Sequence, residues 1–301
     1  MKKNLTYISL FSSAGIGCYA FKKENFDCVA TCEINQRRLN IQKINKKCRF
    51  SSGYICGDLT LKENHKKILN EVKRWRRQNQ IDVVIATPPC QGMSVANQKK
   101  KDETKRNSLV TEAIKIINEI KPKIFIFENV RSFLKTICSG LDNVQRPIYQ
   151  EIINQLGSEY VISSRILNFK NYGSNSSRHR TLVIGVKREI SNFVAPYDLF
   201  PDFTEEISLK QCIGKFKSLK TMGEHDPENP LHNFKKYSPS MRDWIKNLKP
   251  GQSAMDNTKE NEIPCKIVDG KKLNLKLFLE INTNAKFEKK LLHVSILQTI
   301  V

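Results

Sequence analysis

No run of about 18 apolar residues occurs in the 301-residue chain, so no membrane-spanning helix is expected. The opening MKKNLTYISLFSSAGIG has a basic start and an apolar run. Ser12, Ser13 and two glycines break that run, which reads as a strand and turn rather than a secretory leader. There is no internal repeat or low-complexity tract, and 13 glycines with 11 prolines are too few for a fibrous or disordered chain. The nine cysteines are scattered, with no CxxC pair and no zinc-ligand spacing beside histidine, so free thiols and no metal are expected. Neither GxGxxG nor GK[ST] occurs, which removes the usual signals for a dinucleotide or a nucleoside triphosphate. A soluble, cytoplasmic protein is the expectation.

What the chain has in excess is positive charge. Lys and Arg number 51 against 30 Asp and Glu, a formal net charge of +21. An AT-rich gene raises lysine without functional cause, but a polyanionic partner accounts for the remainder, because neutralising phosphates takes clustered cations. Charge does not separate DNA from RNA.

Residues 1–190 alternate short apolar runs with helix-period segments, the pattern of an α/β, doubly wound parallel sheet. Strands are expected at Tyr7–Phe11, Phe26–Cys32, Asp82–Ala86, Ile124–Phe127, Val161–Leu167 and Thr181–Val186. Helices are expected at Lys62–Arg77, Ser108–Ile120 and Pro147–Leu156, the last closed by Gly157. Past residue 190 the rhythm breaks into a loop-rich stretch, so a boundary is placed there, with 191–301 as a second, smaller region.

The chemistry-bearing residues fall at the expected carboxyl ends of the strands, where ligands of such sheets bind. Phe11, Ser13, Gly15 and Gly17 form a small-residue turn after the first strand, which lets backbone approach a ligand. Glu33 and Ile34 end the second strand, where a carboxylate can take the hydroxyls of a ribose, and Asp58 and Leu59 follow a third apolar patch. Three such loops favour a ligand containing adenosine. Thr87-Pro88-Pro89-Cys90-Gln91-Gly92 ends a buried strand in two prolines, a rigid mount that presents a thiol as a nucleophile requires. Glu128 ends the strand Ile124–Phe127 among apolar neighbours, which should raise its pKa and let it donate a proton near neutral pH. Arg178 and Arg180 alternate at the entrance to the strand after them, so both point one way.

Pro-Pro-Cys-Gln, Glu-Asn-Val and Arg-x-Arg, in this order behind the small-residue turn, resemble the DNA cytosine-C5 methyltransferases over about residues 5 to 187. The resemblance implies a Rossmann-like methyltransferase fold, S-adenosyl-L-methionine as methyl donor, double-stranded DNA as partner, and a prokaryotic, nucleoid-associated role in restriction-modification. By it, Phe11, Ser13, Gly15, Gly17, Glu33, Ile34, Asp58, Leu59 and Pro89 surround the donor. Cys90 is the nucleophile, Glu128 the partner of the base ring nitrogen, and Arg180 with Arg178 the contact to the cytosine carbonyl. Amine-methylating relatives carry an aromatic residue after the two prolines, and the sulfur at position 90 argues against that class.

Ser13 stands where the family usually has glycine, and Ser176 where its arginine motif usually has glutamine. Residues 191–301 resemble a partial target-recognition region, with Lys235, Lys236, Arg242 and Lys246 for phosphates and Trp244 for packing or stacking. The family's two closing motifs are not found there, which leaves open one half of a split enzyme with a second polypeptide as partner, a truncated product and a frameshifted product. Three other readings stay open on the sequence: a partner-dependent or inactive DNA-binding subunit, a tRNA cytosine-C5 methyltransferase, and a regulatory binder of S-adenosylmethionine.

Overall fold

The computed structural model describes residues 4–76, 80–89, 107–249, 251–268 and 271–274. They divide into two compact units, 1–214 and 215–301. The first unit is built on a seven-stranded sheet of β1 (Leu5–Leu10), β2 (Phe26–Glu33), β3 (Tyr54–Cys56), β4 (Val83–Ala86), β5 (Ile124–Asn129), β6 (Tyr160–Asn168) and β7 (His179–Lys187). Their spatial order is β3-β2-β1-β4-β5-β7-β6.

The first five strands in that order are parallel, whereas β7 runs antiparallel to both β5 and β6. The sheet is therefore mostly parallel, with one reversed strand that the parallel pattern read from the sequence did not contain. The reversal follows from connection length. Only residues 169–178 join β6 to β7, enough for a hairpin return but not for the helical crossover a parallel neighbour needs.

Side-chain alternation makes each buried strand amphipathic between two apolar layers. Ile8 and Leu10 of β1, Val84 and Ala86 of β4, and Phe125 and Phe127 of β5 enter the larger core. Tyr7, Val83 and Ile85 enter the smaller core on the opposite face. The larger core is closed by α3 (Lys62–Arg76), α4 (Leu109–Ile120) and α5 (Ile148–Leu156), which follow α1 (Tyr19–Lys23) and α2 (Gln36–Ile44) in the chain. Val110, Ala113, Ile114, Ile117 and Ile120 of α4 are fully buried. Their i, i+3, i+4 spacing gives one continuous apolar stripe. Helix α2 begins where the Asn35 side chain accepts the Arg37 and Arg38 backbone N–H groups, and buries only Leu39 and Gln42.

Segment 191–214 packs within the first unit. Phe200 sits in a small cluster with Leu167, Ile184 and Val186, and the Arg165 guanidinium lies 3.8 Å from the Tyr197 ring centroid. The second unit contains a short hairpin (His225–Asp226 with Asn229–Asn233), a helix at Pro239–Ile245 and a hairpin of Cys265–Val268 with Lys271–Asn274.

Gly185 of β7 pairs with Phe125 of β5, and the Phe125 ring lies over it. That ring packs edge-on against Phe127 and Tyr160, at 5.6 and 5.0 Å between centroids. A Cβ at position 185 would overlap the Phe125 ring. Gly185→Ala should therefore lower the unfolding free energy by about 1–3 kcal/mol, the usual cost of overpacking a filled core. Urea denaturation of both proteins checks this, and an unchanged midpoint would contradict it.

Candidate active site

The exits of β1, β2, β4 and β5, the β3–α3 loop and the entrance to β7 surround one cavity of about 500 Å3. Its walls include Phe11 and Ser13 after β1, Glu33 and Ile34 at the end of β2, and Asp58 and Leu59 after β3. Thr87, Pro88 and Pro89 line it after β4, Glu128, Asn129 and Val130 at the end of β5, and Arg178 and Arg180 at β7. Ten of the residues singled out in the sequence thus meet at one place. Gly15 and Gly17 do not. Gly15 lines a separate depression with Tyr7, Cys18 and Gln42, and Gly17 is exposed. Cys90 lies outside the described residues; its chain neighbour Pro89 is on the cavity wall.

The loops are held to one another by backbone and side-chain bonds. Thr87 N donates to Leu10 O at 3.2 Å and its hydroxyl to Phe11 O at 2.9 Å, which fixes the β4 exit on the β1 exit. Gly57 N donates to Glu33 O at 3.1 Å, joining the third loop to the second. The Asn129 amide, buried, donates to Pro88 O at 2.8 Å and accepts the Val130 N–H at 2.8 Å. The two prolines that precede Cys90 are thereby pinned from β5.

The turn after β1 is strained. Phe11 (φ 55°), Ser13 (φ 48°) and Gly15 (φ 84°) all lie in the left-handed region, which costs a non-glycine residue on the order of 1–3 kcal/mol. Strain of this size persists only where neighbours over-determine it. Here Glu33, almost fully buried, accepts the Ser13 N–H at 2.7 Å and the Asn35 N–H at 3.0 Å.

Two halves of the cavity differ in chemistry. On the first, the Glu33 and Asp58 carboxyls sit among Phe11, Ile34, Leu59 and Pro89, and Ile34 is 67% exposed, an uncovered apolar surface at the mouth. Carboxylates suit the hydroxyls of a ribose and uncovered apolar side chains suit a flat ring, so the residues present fit an adenosine-containing donor. On the second half, Arg180 Nε lies 3.0 Å from Glu128 Oε1. Burial pushes the Glu128 carboxyl above its ordinary value, and the positive charge of Arg178 opposes the rise without cancelling it.

Sequence reading missed several lining residues. Arg38, 3.8 Å from Glu33 Oε1, reads in the sequence as an ordinary exposed helical arginine. Leu109 at the start of α4 carries no signal either. Asn129 and Thr87 were visible only as neighbours of the residues singled out. In the second unit, Lys235, Lys236, Arg242 and Lys246 are exposed and Trp244 is half-buried.

This sheet order, with ligand loops at the carboxyl edge and a carboxylate at the end of β2, defines a Rossmann-like S-adenosylmethionine-dependent methyltransferase fold. A described DNA modification methyltransferase encoded within a prophage (E. coli) shares it, with a TM-score of 0.55 and 22% identity over 73% of this chain and 57% of that one. The family model for C-5 cytosine-specific DNA methylase matches residues 5–289, and the chain belongs to that family. It is 32% identical over 264 residues to the type II methyltransferase M1.HgaI of Avibacterium volantium, covering 85% of this chain and 69% of that protein. It is 29% identical to the type II methyltransferase M.XorII of Xanthomonas oryzae (72% of this chain, 47% of that one) and 28% to M1.HphI of Haemophilus parahaemolyticus (84% and 63%). The chain thus spans between about half and about two thirds of these relatives' lengths.

The electrostatics of Glu128 give a direct prediction. Its carboxyl should titrate above the ordinary glutamate range, and Arg178→Ala, which removes the opposing charge, should move it higher still. Carbon-13 detected NMR titration of the Glu128 carboxyl checks both. A titration at or below the ordinary value, or a downward move in the variant, would contradict the assignment.

Proposed function

We propose that this chain transfers a methyl group from S-adenosylmethionine to C5 of cytosine in duplex DNA. One observation carries the reading. A single cavity joins a carboxylate-bearing, apolar half fit for an adenosine to a half where Pro88, Glu128, Arg178 and Arg180 meet. Family membership and the net charge of +21 support it, and the names of the relatives, all type II methyltransferases, favour DNA over RNA.

In this reading Glu33 and Asp58 hold the donor's ribose side, and Phe11, Ile34 and Leu59 cover its flat ring. When bound, the donor supplies an electrophilic methyl group to C5, and the rest of it departs as S-adenosylhomocysteine. The target carbon is inaccessible in a stacked duplex, so the base must rotate out into the cavity. Cys90 gives its thiol proton to water and its sulfur forms a bond to C6. The displaced electron pair moves toward N3, where Glu128 in its protonated form supplies a proton, and C5 becomes nucleophilic. Arg178 and Arg180 provide positive charge for the cytosine carbonyl oxygen, where charge accumulates. After methylation a water-derived base removes the C5 proton. The S–C6 bond then breaks, N3 returns its proton to Glu128, and Cys90 is regenerated. The rigid Pro88-Pro89 backbone, tied to Asn129, supports a fixed origin for the segment that carries Cys90.

A duplex bearing 5-fluorocytosine has no C5 proton to lose, so the covalent adduct persists. The wild-type chain incubated with donor and this duplex should give a denaturation-resistant complex on an SDS gel. Cys90→Ala should give none while binding DNA within about threefold, since phosphate contacts carry affinity. Adduct formation by Cys90→Ala at the wild-type level would sink the assignment.

The sign of the Glu128 shift fixes a second outcome. A raised pKa keeps the carboxyl protonated to higher pH than an ordinary glutamate, and activity falls as pH rises through that value. Glu128→Gln should lower kcat by about 10²–10⁴ and abolish this alkaline limb, because an amide does not titrate. A pH–rate profile with the same alkaline limb in both proteins would contradict the role.

A further inference from the structure

We infer that Gln42 is a positioning residue for the methyl donor: its buried amide holds the strained β1 turn in the shape that the donor half of the cavity requires. The inference rests on the methyl-donor reading above and assigns a function to a residue that does not line the donor cavity.

Gln42 is 1% exposed, on a helix whose only other buried side chain is Leu39. A buried primary amide on a short surface helix requires partners, and this one has three. Its Nε2 donates to Ser13 O at 2.6 Å and to Ser12 Oγ at 2.8 Å, and its Oε1 lies 2.8 Å from the Thr31 hydroxyl. The orientation of the amide is forced, because Ser13 O is a carbonyl that can only accept and a flipped amide would set oxygen against oxygen. Lys47 Nζ, 3.1 Å from Thr31 Oγ1, closes the far side of this buried cluster.

The peptide groups on both sides of Ser13 are therefore tethered. Its N–H is held by Glu33 and its carbonyl by Gln42. Ser13 sits at φ 48° and Gly15 at φ 84°, and a Cβ on Gly15 would come 3.0 Å from Gln42 Cγ, so the side chain also packs against the turn. Without the amide, the Ser13 carbonyl and the Ser12 hydroxyl lose a donor inside the protein, and the left-handed turn loses half of what over-determines it. The turn can then relax, and the donor must reorder it on binding. The residues assigned to chemistry lie after β4 and at β5 and β7, and among the described residues the Gln42 amide is hydrogen-bonded to Ser12, Ser13 and Thr31, none of which is one of them. Its loss should appear in donor binding and not in the chemical step.

The test uses Gln42→Met, which keeps the volume and removes the hydrogen bonds, and Thr31→Val, which damages the same buried cluster but leaves the bond from Gln42 to Ser13 O in place. Calorimetric titration of the full chain with S-adenosylmethionine and S-adenosylhomocysteine is paired with thermal melts and steady-state kinetics. Gln42→Met should weaken donor affinity about tenfold or more and raise the donor KM similarly, with kcat at saturating donor within about threefold of wild type. Thr31→Val should lose melting temperature yet keep donor affinity within about threefold of wild type. Donor affinity in Gln42→Met within about twofold of wild type overturns the inference, as does an equal affinity loss in Thr31→Val. No donor binding by the wild-type chain overturns both this inference and the reading it rests on; binding by wild type with Gln42→Met unchanged overturns the inference alone.

Discussion

Most of the cavity in the first unit depends on parallel strands that end at one edge and on the hydrogen bonds that tie their exits together, with Arg178 and Arg180 added from the entrance of the antiparallel β7. Parallel neighbours share a direction, so the loops after β1, β2, β3, β4 and β5 emerge side by side. That alone brings residues from positions 11 to 129 within reach of one cavity. It does not fix them there. Fixation comes from bonds between exits: Thr87 to Leu10 and Phe11, Gly57 to Glu33, and Asn129 to Pro88. Each loop is thus positioned by its neighbour in the sheet rather than by its own sequence, which suits a site that must hold a donor and a base in one alignment.

The two halves of the cavity impose opposite electrostatic demands. Glu33 is almost fully buried yet receives two backbone N–H groups, so its carboxylate is compensated in place. Glu128 is half-buried beside Arg178 and Arg180, and there desolvation outweighs the neighbouring charge. One carboxyl is held as an acceptor and the other is biased toward its protonated form. In the proposed reaction the first serves as a binding group and the second as a proton source; two backbone N–H groups face Glu33, whereas burial dominates at Glu128.

Much of this was legible in the sequence because the motifs sit at strand ends, and strand ends show as breaks in apolar runs. Six of the seven strands and the helices α3 to α5 lie where the periodicity put them, and the family resemblance that the motifs carried is met by the chain's membership. The short strand β3 was visible only as an apolar patch before Gly57. What could not be read is what depends on three-dimensional contact. The reversed β7 is the exception: it follows from the short β6–β7 connection, which the expected strand bounds already contained but the parallel reading did not use. Gly15 and Gly17 looked like cavity residues because small residues look alike, whereas the path of the turn in space decides which reach the wall: Phe11, Ser13 and Gly15 share left-handed φ values, yet Gly15 lines a separate depression. Gln42, a polar residue in a polar helix, carried no mark of burial. Segment 191–214 is held to the first unit by contacts such as Phe200 on Ile184, and a loop-rich composition gives no hint of them.

The central claim is that one cavity directs methyl transfer to C5 of cytosine rather than to an exocyclic amine. The most direct measurement is nucleoside mass spectrometry of unmethylated duplex DNA after incubation with the chain and isotope-labelled S-adenosylmethionine. The account predicts that the label appears in 5-methyldeoxycytidine. Label in N4-methyldeoxycytidine or N6-methyldeoxyadenosine would contradict it.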